Sequence, residues 1–197
     1  MFQLKLGLKM SIHEGMSFMR IHFFFRPTLW LSVAVAVGLL AGCQRHIPLP
    51  ECATLLDQGV GPGWAVDEES GTATHLASGL VWYRCLGGER FSDNQCIGNP
   101  LELDLEEAKD YALAIAETSG KPWRLPTLRE MQQIRQTHCQ NPAVNKVLFP
   151  SVYSSNHWTS SVSRNGVTFG CATNTFNGNG YCREKAVNEL PFLMVTD

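Results

Sequence analysis

Several residue groups in this 197-residue chain have types and spacings that could do chemistry. His138 and Cys139 are adjacent, with His157 further on. A cysteine beside a histidine is the start of a thiolate nucleophile. Asp67, Glu68 and Glu69 supply hard oxygens of the kind calcium takes. Arg124 stands inside "GKPWRLPTLREMQQI" and could hold a ligand. The loop "TNTFNGNG" (Thr173–Gly180) offers the amides of Asn174, Asn177 and Asn179 and the ring of Phe176 to a sugar or a protein.

Each group also has a structural reading. The nucleophile needs a free thiolate, and the cysteines argue for pairing. The acidic run reads as a solvated turn, because a cation site needs ligands converging from several directions. In the Arg124 stretch, Thr127 and Glu130 have capping-box spacing, and Pro126 stops a helix from starting earlier. Arg124 is left over. It either pairs with a buried carboxylate or faces a ligand, and the pairing is the preferred reading. The amide-rich loop reads first as a hairpin connection, since Asn-Gly pairs make tight turns. Zinc would call for Cys-x-x-Cys or closely spaced histidines. Neither is present, nor is a Gly-x-Ser-x-Gly elbow or a phosphate-binding glycine loop. No catalytic residue, metal or cofactor is expected.

The N-terminus sets the compartment. In "MRIHFFFRPTLWLSVAVAVGLLAGC" a short basic region precedes an apolar run, Leu29 to Leu40, and then small residues. That is the architecture of a secretory signal, too short for a comfortable membrane span. Residues 1–42 are read as signal peptide, with 1–18 an over-extended start before Met19 or Met16. Leu40-Ala41-Gly42-Cys43 resembles the lipobox of bacterial lipoproteins. That resemblance implies cleavage before Cys43 and lipidation of its sulfur. Beyond this basic leader the chain is mildly acidic, which speaks against binding nucleic acid.

Six cysteines remain after Cys43, an even number in an exported chain. Proximity pairs Cys85 with Cys96 and Cys171 with Cys182, which leaves Cys52 with Cys139. The long loop closed by the last pair would add roughly 4 kcal/mol, less any strain.

The elements follow from pattern and punctuation. Residues 43–63, with Pro48, Pro50, Gly59, Gly61, Pro62 and Gly63, read as a lipidated cysteine and tether; residues 64–197 read as the domain. "THLASGLVWYRC" reads as strand, turn and strand. Asp104 and Glu107 cap a helix whose stripe is Leu105, Ala108, Ala112 and Ile115, with Gly120 as its stop. A second helix is expected over Leu128–Thr137. Strands are expected at His157–Ser161, Val167–Cys171, Tyr181–Arg183 and Leu190–Val195. The class is α+β. Trp82, Trp123 and Trp158 are assigned to the core; Trp64 and Tyr153 are the better candidates for exposed contact.

The ordered strings "SGLVWYRC", "CIGNP", "EEAKDYA", "WRLPTLREM", "NPAVNKVLFP" and "HWTSS" resemble the Lcl C-terminal domain family over most of residues 74–195. The ending "PFLMVTD" departs from the family's Val-Arg-Leu-Val-like close. The resemblance implies a C-type-lectin-like fold: a small twisted antiparallel sheet, two helices and long loops. The calcium-dependent sugar motifs of that group are missing, and Gln140-Asn141-Pro142 is a distant echo best read as a turn. The function expected is a non-enzymatic, lipid-anchored module of the bacterial cell envelope, with Gln44 resembling outer-membrane sorting. Its partners would be the membrane, through the anchor, and a glycan or an envelope protein. The alternative is an oxidase of the formylglycine-generating type, which needs a free cysteine pair.

Overall fold

Alternation along "VWY" decides the centre of the molecule. The strand β3 (Val81–Tyr83) sends Trp82 to one side and Val81 and Tyr83 to the other. The computed structural model describes residues 47–55, 59–164, 168–185 and 187–197. In it, β1 (Trp64–Asp67), β2 (Thr72–His75) and β3 are joined by the C-terminal strand β9 (Val195–Thr196). They form an antiparallel sheet in the order β1-β2-β3-β9. The expected turn at Ser78-Gly79 links β2 to β3. Gly79 has φ 78°, a left-handed conformation that suits glycine. A small hairpin follows, β4 (Arg90–Ser92) and β5 (Gln95–Ile97), turning on Asp93 and Asn94 at φ 51° and 61°.

The first helix, α1 (Leu105–Ser119), has the expected ends. Asp104 Oδ1 accepts from the Glu106 and Glu107 amides, and Glu107 reaches back to the Asp104 amide. Gly120 closes it at φ 69°. The second helix, α2, is shorter than the expected Leu128–Thr137: it spans Leu128–Met131. Beyond it the backbone pairs elsewhere. Arg135 forms an antiparallel bridge with Val144, and the Gln136 amide donates to the Ala143 carbonyl. These tertiary hydrogen bonds outcompete a continued helix.

A three-stranded antiparallel sheet, β6 (Asn156–Val162), β7 (Phe169–Asn174) and β8 (Asn179–Glu184), makes the rest. Three of the four expected strands lie here, although Val167 falls outside the described residues. The fourth, Leu190–Val195, is not a strand along its length. It is a buried spine that bonds to a new neighbour at almost every step. Leu190 bridges Leu103, Phe192 bridges Trp158, the Phe192 carbonyl accepts from Gly87, and Val195 bridges Arg124. Residues 190–196 are all buried, so the atypical C-terminal sequence meets protein on every side.

Two cores result. One gathers Trp82, Met131, Ile134, Leu148, Phe149 and Val152. The other packs α1, through Leu105, Ala108 and Ala112, on Trp123, Trp158 and Phe192. Trp82, Trp123 and Trp158 are core residues, as expected. The three disulfides are Cys52–Cys139, Cys85–Cys96 and Cys171–Cys182, with Cα separations of 5.0, 5.5 and 3.9 Å. The architecture is α+β: small antiparallel sheets, two helices and three staples. Residues Pro48–Asp197 make one compact unit, so the segment read as a tether already belongs to it from Pro48. The signal peptide and Cys43 lie outside the described residues.

Candidate functional site

A cleft walled by aromatic rings lies between α1 and the first sheet. It holds about 290 Å³. Tyr111, Ile115 and Ser119 line it from the helix, Tyr83 from β3, and Trp123 and Met194 from the second core. Tyr111 and Ile115 are four apart, so they share a face beside the Leu105–Ala112 stripe. The tyrosine hydroxyls are anchored. Tyr83 Oη accepts from the Phe91 amide at 2.9 Å, and Tyr111 Oη accepts from the Gly88 amide at 3.1 Å. Tyr83 and Trp123 meet edge to face at 6.2 Å. The rings are thereby fixed, which lowers the entropy lost on binding.

The polar groups sit around this apolar wall. Lys121 has no hydrogen bond or ion pair from its ammonium among the described residues. Ser70 and Thr72 share a 2.7 Å hydroxyl hydrogen bond. Glu89 Oε2 accepts from the Leu86 amide. Ser70 holds the nearby Asp67 carboxyl below its usual range, with Lys121 adding to the effect. Apolar walls with a few fixed polar groups are the make-up of a ligand site. A second hollow of about 590 Å³ lies between Gly59–Trp64 and Gln136, His138 and Asn145. Much of its wall is a Gly- and Pro-rich segment, and its rings are those of Trp64 and His138.

The residues singled out from sequence do not assemble at this cleft. Arg124 takes the structural role: Nη1 and Nη2 donate to Glu130 Oε2 and Oε1, both at 2.9 Å, and Nη2 also meets Asp197 at 3.0 Å. Hydrogen bonding to Glu130 raises the Arg124 pKa, and Arg124 in turn lowers that of Glu130. Asp67 Oδ1 accepts from the Glu69 and Ser70 amides, making the acidic run a turn. Asn141 donates to Glu51 at 2.7 Å and accepts from the Ser154 hydroxyl at 2.6 Å. In the amide-rich loop, Asn174 donates to Asn156 and accepts from the Phe176 amide, while Asn177 accepts from the Asn179 amide. The loop is a built turn whose Phe176 ring is 42% exposed.

The nucleophile reading fails, because Cys139 is disulfide-bonded. Cys85, Glu89 and Cys96 converge as metal ligands would, but the two sulfurs are bonded to each other. Trp64 packs on His75 and Phe149, and Tyr153 donates to Glu102 at 2.7 Å, so neither is a free contact residue. Burial, and then Glu102, push the Tyr153 phenol pKa up.

Sequence reasoning missed Tyr83, Tyr111 and Lys121 as a group. The four-residue spacing of Tyr111 and Ile115 was the available signal. It also missed Arg84, only 4% exposed, which donates to the Leu148 and Val147 carbonyls at 3.0 and 2.7 Å and lies over Phe91.

The fold and cleft thus define a disulfide-stapled α+β domain with an aromatic-walled hollow. Residues 71–195 match the family model of the Lcl C-terminal domain, and the chain belongs to that family. Neither a search of curated proteins nor one of solved structures returned a significant match.

Proposed function

We propose that this is a lipid-anchored protein of the bacterial cell envelope whose Lcl C-terminal domain is a non-enzymatic binding module. The aromatic-walled cleft carries the reading, because it offers a fixed apolar surface with the Lys121 ammonium at its side. The lipobox-like "LAGC" supports the anchor, and Gln44 supports the outer membrane. Kinship with the C-type-lectin-like group and a glycan or envelope protein as ligand belong to the same proposal. The oxidase alternative needs a free cysteine pair, and the six described cysteines are all bonded.

The test has two arms. Wild type carries radiolabelled palmitate and sediments with membranes, whereas Cys43→Ser carries no label and is either released from the membrane fraction or left unprocessed. On a glycan array and in an envelope pull-down, the soluble domain retains a ligand that Ser119→Arg, which plugs the cleft, and Lys121→Ala lose. Retention by both variants, at wild-type stability, removes the cleft from the account.

A further inference from the structure

The chain is fastened where it enters the domain. The Gln140 amide donates to the Pro50 carbonyl at 2.9 Å, the Cys52 amide donates to Gln140 at 2.7 Å, and Cys52 is bonded to Cys139. On the other side of the same segment, the Asn141 amide donates to the Phe176 carbonyl at 2.9 Å. The entry point and the amide-rich turn therefore flank one short piece of backbone. Three exposed side chains belong to these neighbouring segments. Leu49 and Phe176 are 46% and 42% exposed. Arg135 runs along the turn: a Cβ at Gly178 would meet its Cδ at 2.5 Å and its Nε at 2.7 Å. Its guanidinium reaches only the Gln132 amide oxygen, at 3.5 Å, and no carboxylate among the described residues. Glu51, the acid at this face, is engaged by Asn141.

We infer that the face bearing Leu49, Phe176 and Arg135 rests against the bilayer that holds the Cys43 lipid. This rests on the lipid-anchor reading. The leash from Cys43 to Pro50 spans at most about 25 Å when fully extended. A compact unit of this size is about 38 Å across, so half its circumference is about 60 Å. A leash that short cannot pass round the domain, and the entry face stays on the membrane side. Two apolar side chains beside an unpaired guanidinium then fit the interface, with rings and aliphatic groups at the acyl boundary and the cation at lipid phosphates. The same placement explains an exposed aromatic ring on a turn whose Asn174 and Asn177 side-chain oxygens are used internally.

The experiment uses full-length protein, processed in cells and reconstituted into vesicles of phosphatidylethanolamine with a minor share of phosphatidylglycerol. A photo-crosslinking phenylalanine replaces Phe176, or Leu113 on α1, which is 57% exposed. Palmitate label is read on the same samples. Lipid adducts several-fold more abundant from position 176 than from 113, and reduced by Arg135→Glu, are expected. A flexible insert of about twenty Gly/Ser residues after Gln44 should erase the preference. Equal adducts from both positions in palmitate-labelled protein overturn this inference and leave the anchor standing. Absence of palmitate overturns both.

Discussion

Glu130 joins two structures with one carboxylate. Its Oε2 accepts from the Thr127 amide at 2.7 Å, closing the capping box, while both oxygens receive Arg124. Thr127 Oγ1 accepts from the Glu130 amide at 3.1 Å, so Thr127→Ala should cost about 1 kcal/mol in chemical denaturation. Loss of ligand binding at unchanged stability would instead make this stretch a binding loop. Because Glu130 titrates below its usual range, its contribution is complete above the ordinary carboxylate pKa and fades as pH falls through the lower folded value. Urea melts of wild type and Glu130→Gln should therefore converge as pH drops below about 4; a constant gap would contradict the pairing. His157 has the same sign from a different cause. Burial pushes its pKa down to about 4, with Nδ1 near the Ser155 carbonyl and Nε2 unpartnered among the described residues. Its stabilising share is whole above about 6.5 and is lost toward 4, so His157→Gln should flatten the stability profile over that window by roughly 3 kcal/mol. An unchanged slope would contradict the burial. The capping box was legible because its partners are three residues apart. The burial of His157 was not, because alternation in "HWTSS" shows that His157 and Trp158 face opposite ways but not that both faces are covered.

At the scale of elements, what was readable depended on where the hydrogen bonds close. The helix α1 closes its own, and its caps at Asp104 and Gly120 stand in the sequence. The α2 region and the Leu190–Val195 spine bond to distant backbone, so local pattern overstated the first and mislabelled the second. The packing of α1 on the three-stranded sheet gives a direct test. Gly170 on β7 lies against Leu105, and a Cβ there would run into Leu105 Cδ2 beside the Trp158 ring. Leu105 is fully buried and has little room to turn. Gly170→Ala should lower stability by about 1–3 kcal/mol through overpacking. The melting curve reads it, and a neutral result would mean that α1 packs more loosely than described.

Across the whole molecule, Cys52–Cys139 spans a sequence separation of 87 and fastens the entry segment to the core. Replacing both cysteines by serine should cost up to about 4 kcal/mol and free the segment for proteolysis before Trp64. Pairing at this scale was legible by counting, since two local loops claim four of six cysteines and leave one choice. The aromatic cleft was not. Tyr83, Tyr111 and Trp123 come from a strand, a helix and a loop, and only the tertiary packing of α1 brings them together. The proposed lipid anchor at Cys43 and the three disulfides together fix the mass of the mature chain. The intact mass of protein extracted from membranes tests both most directly. A chain beginning at Cys43 and carrying acyl mass is expected. It should be six hydrogens lighter than its fully reduced form, two for each disulfide. An unacylated chain, a start elsewhere, or a mass that reveals free thiols would contradict it.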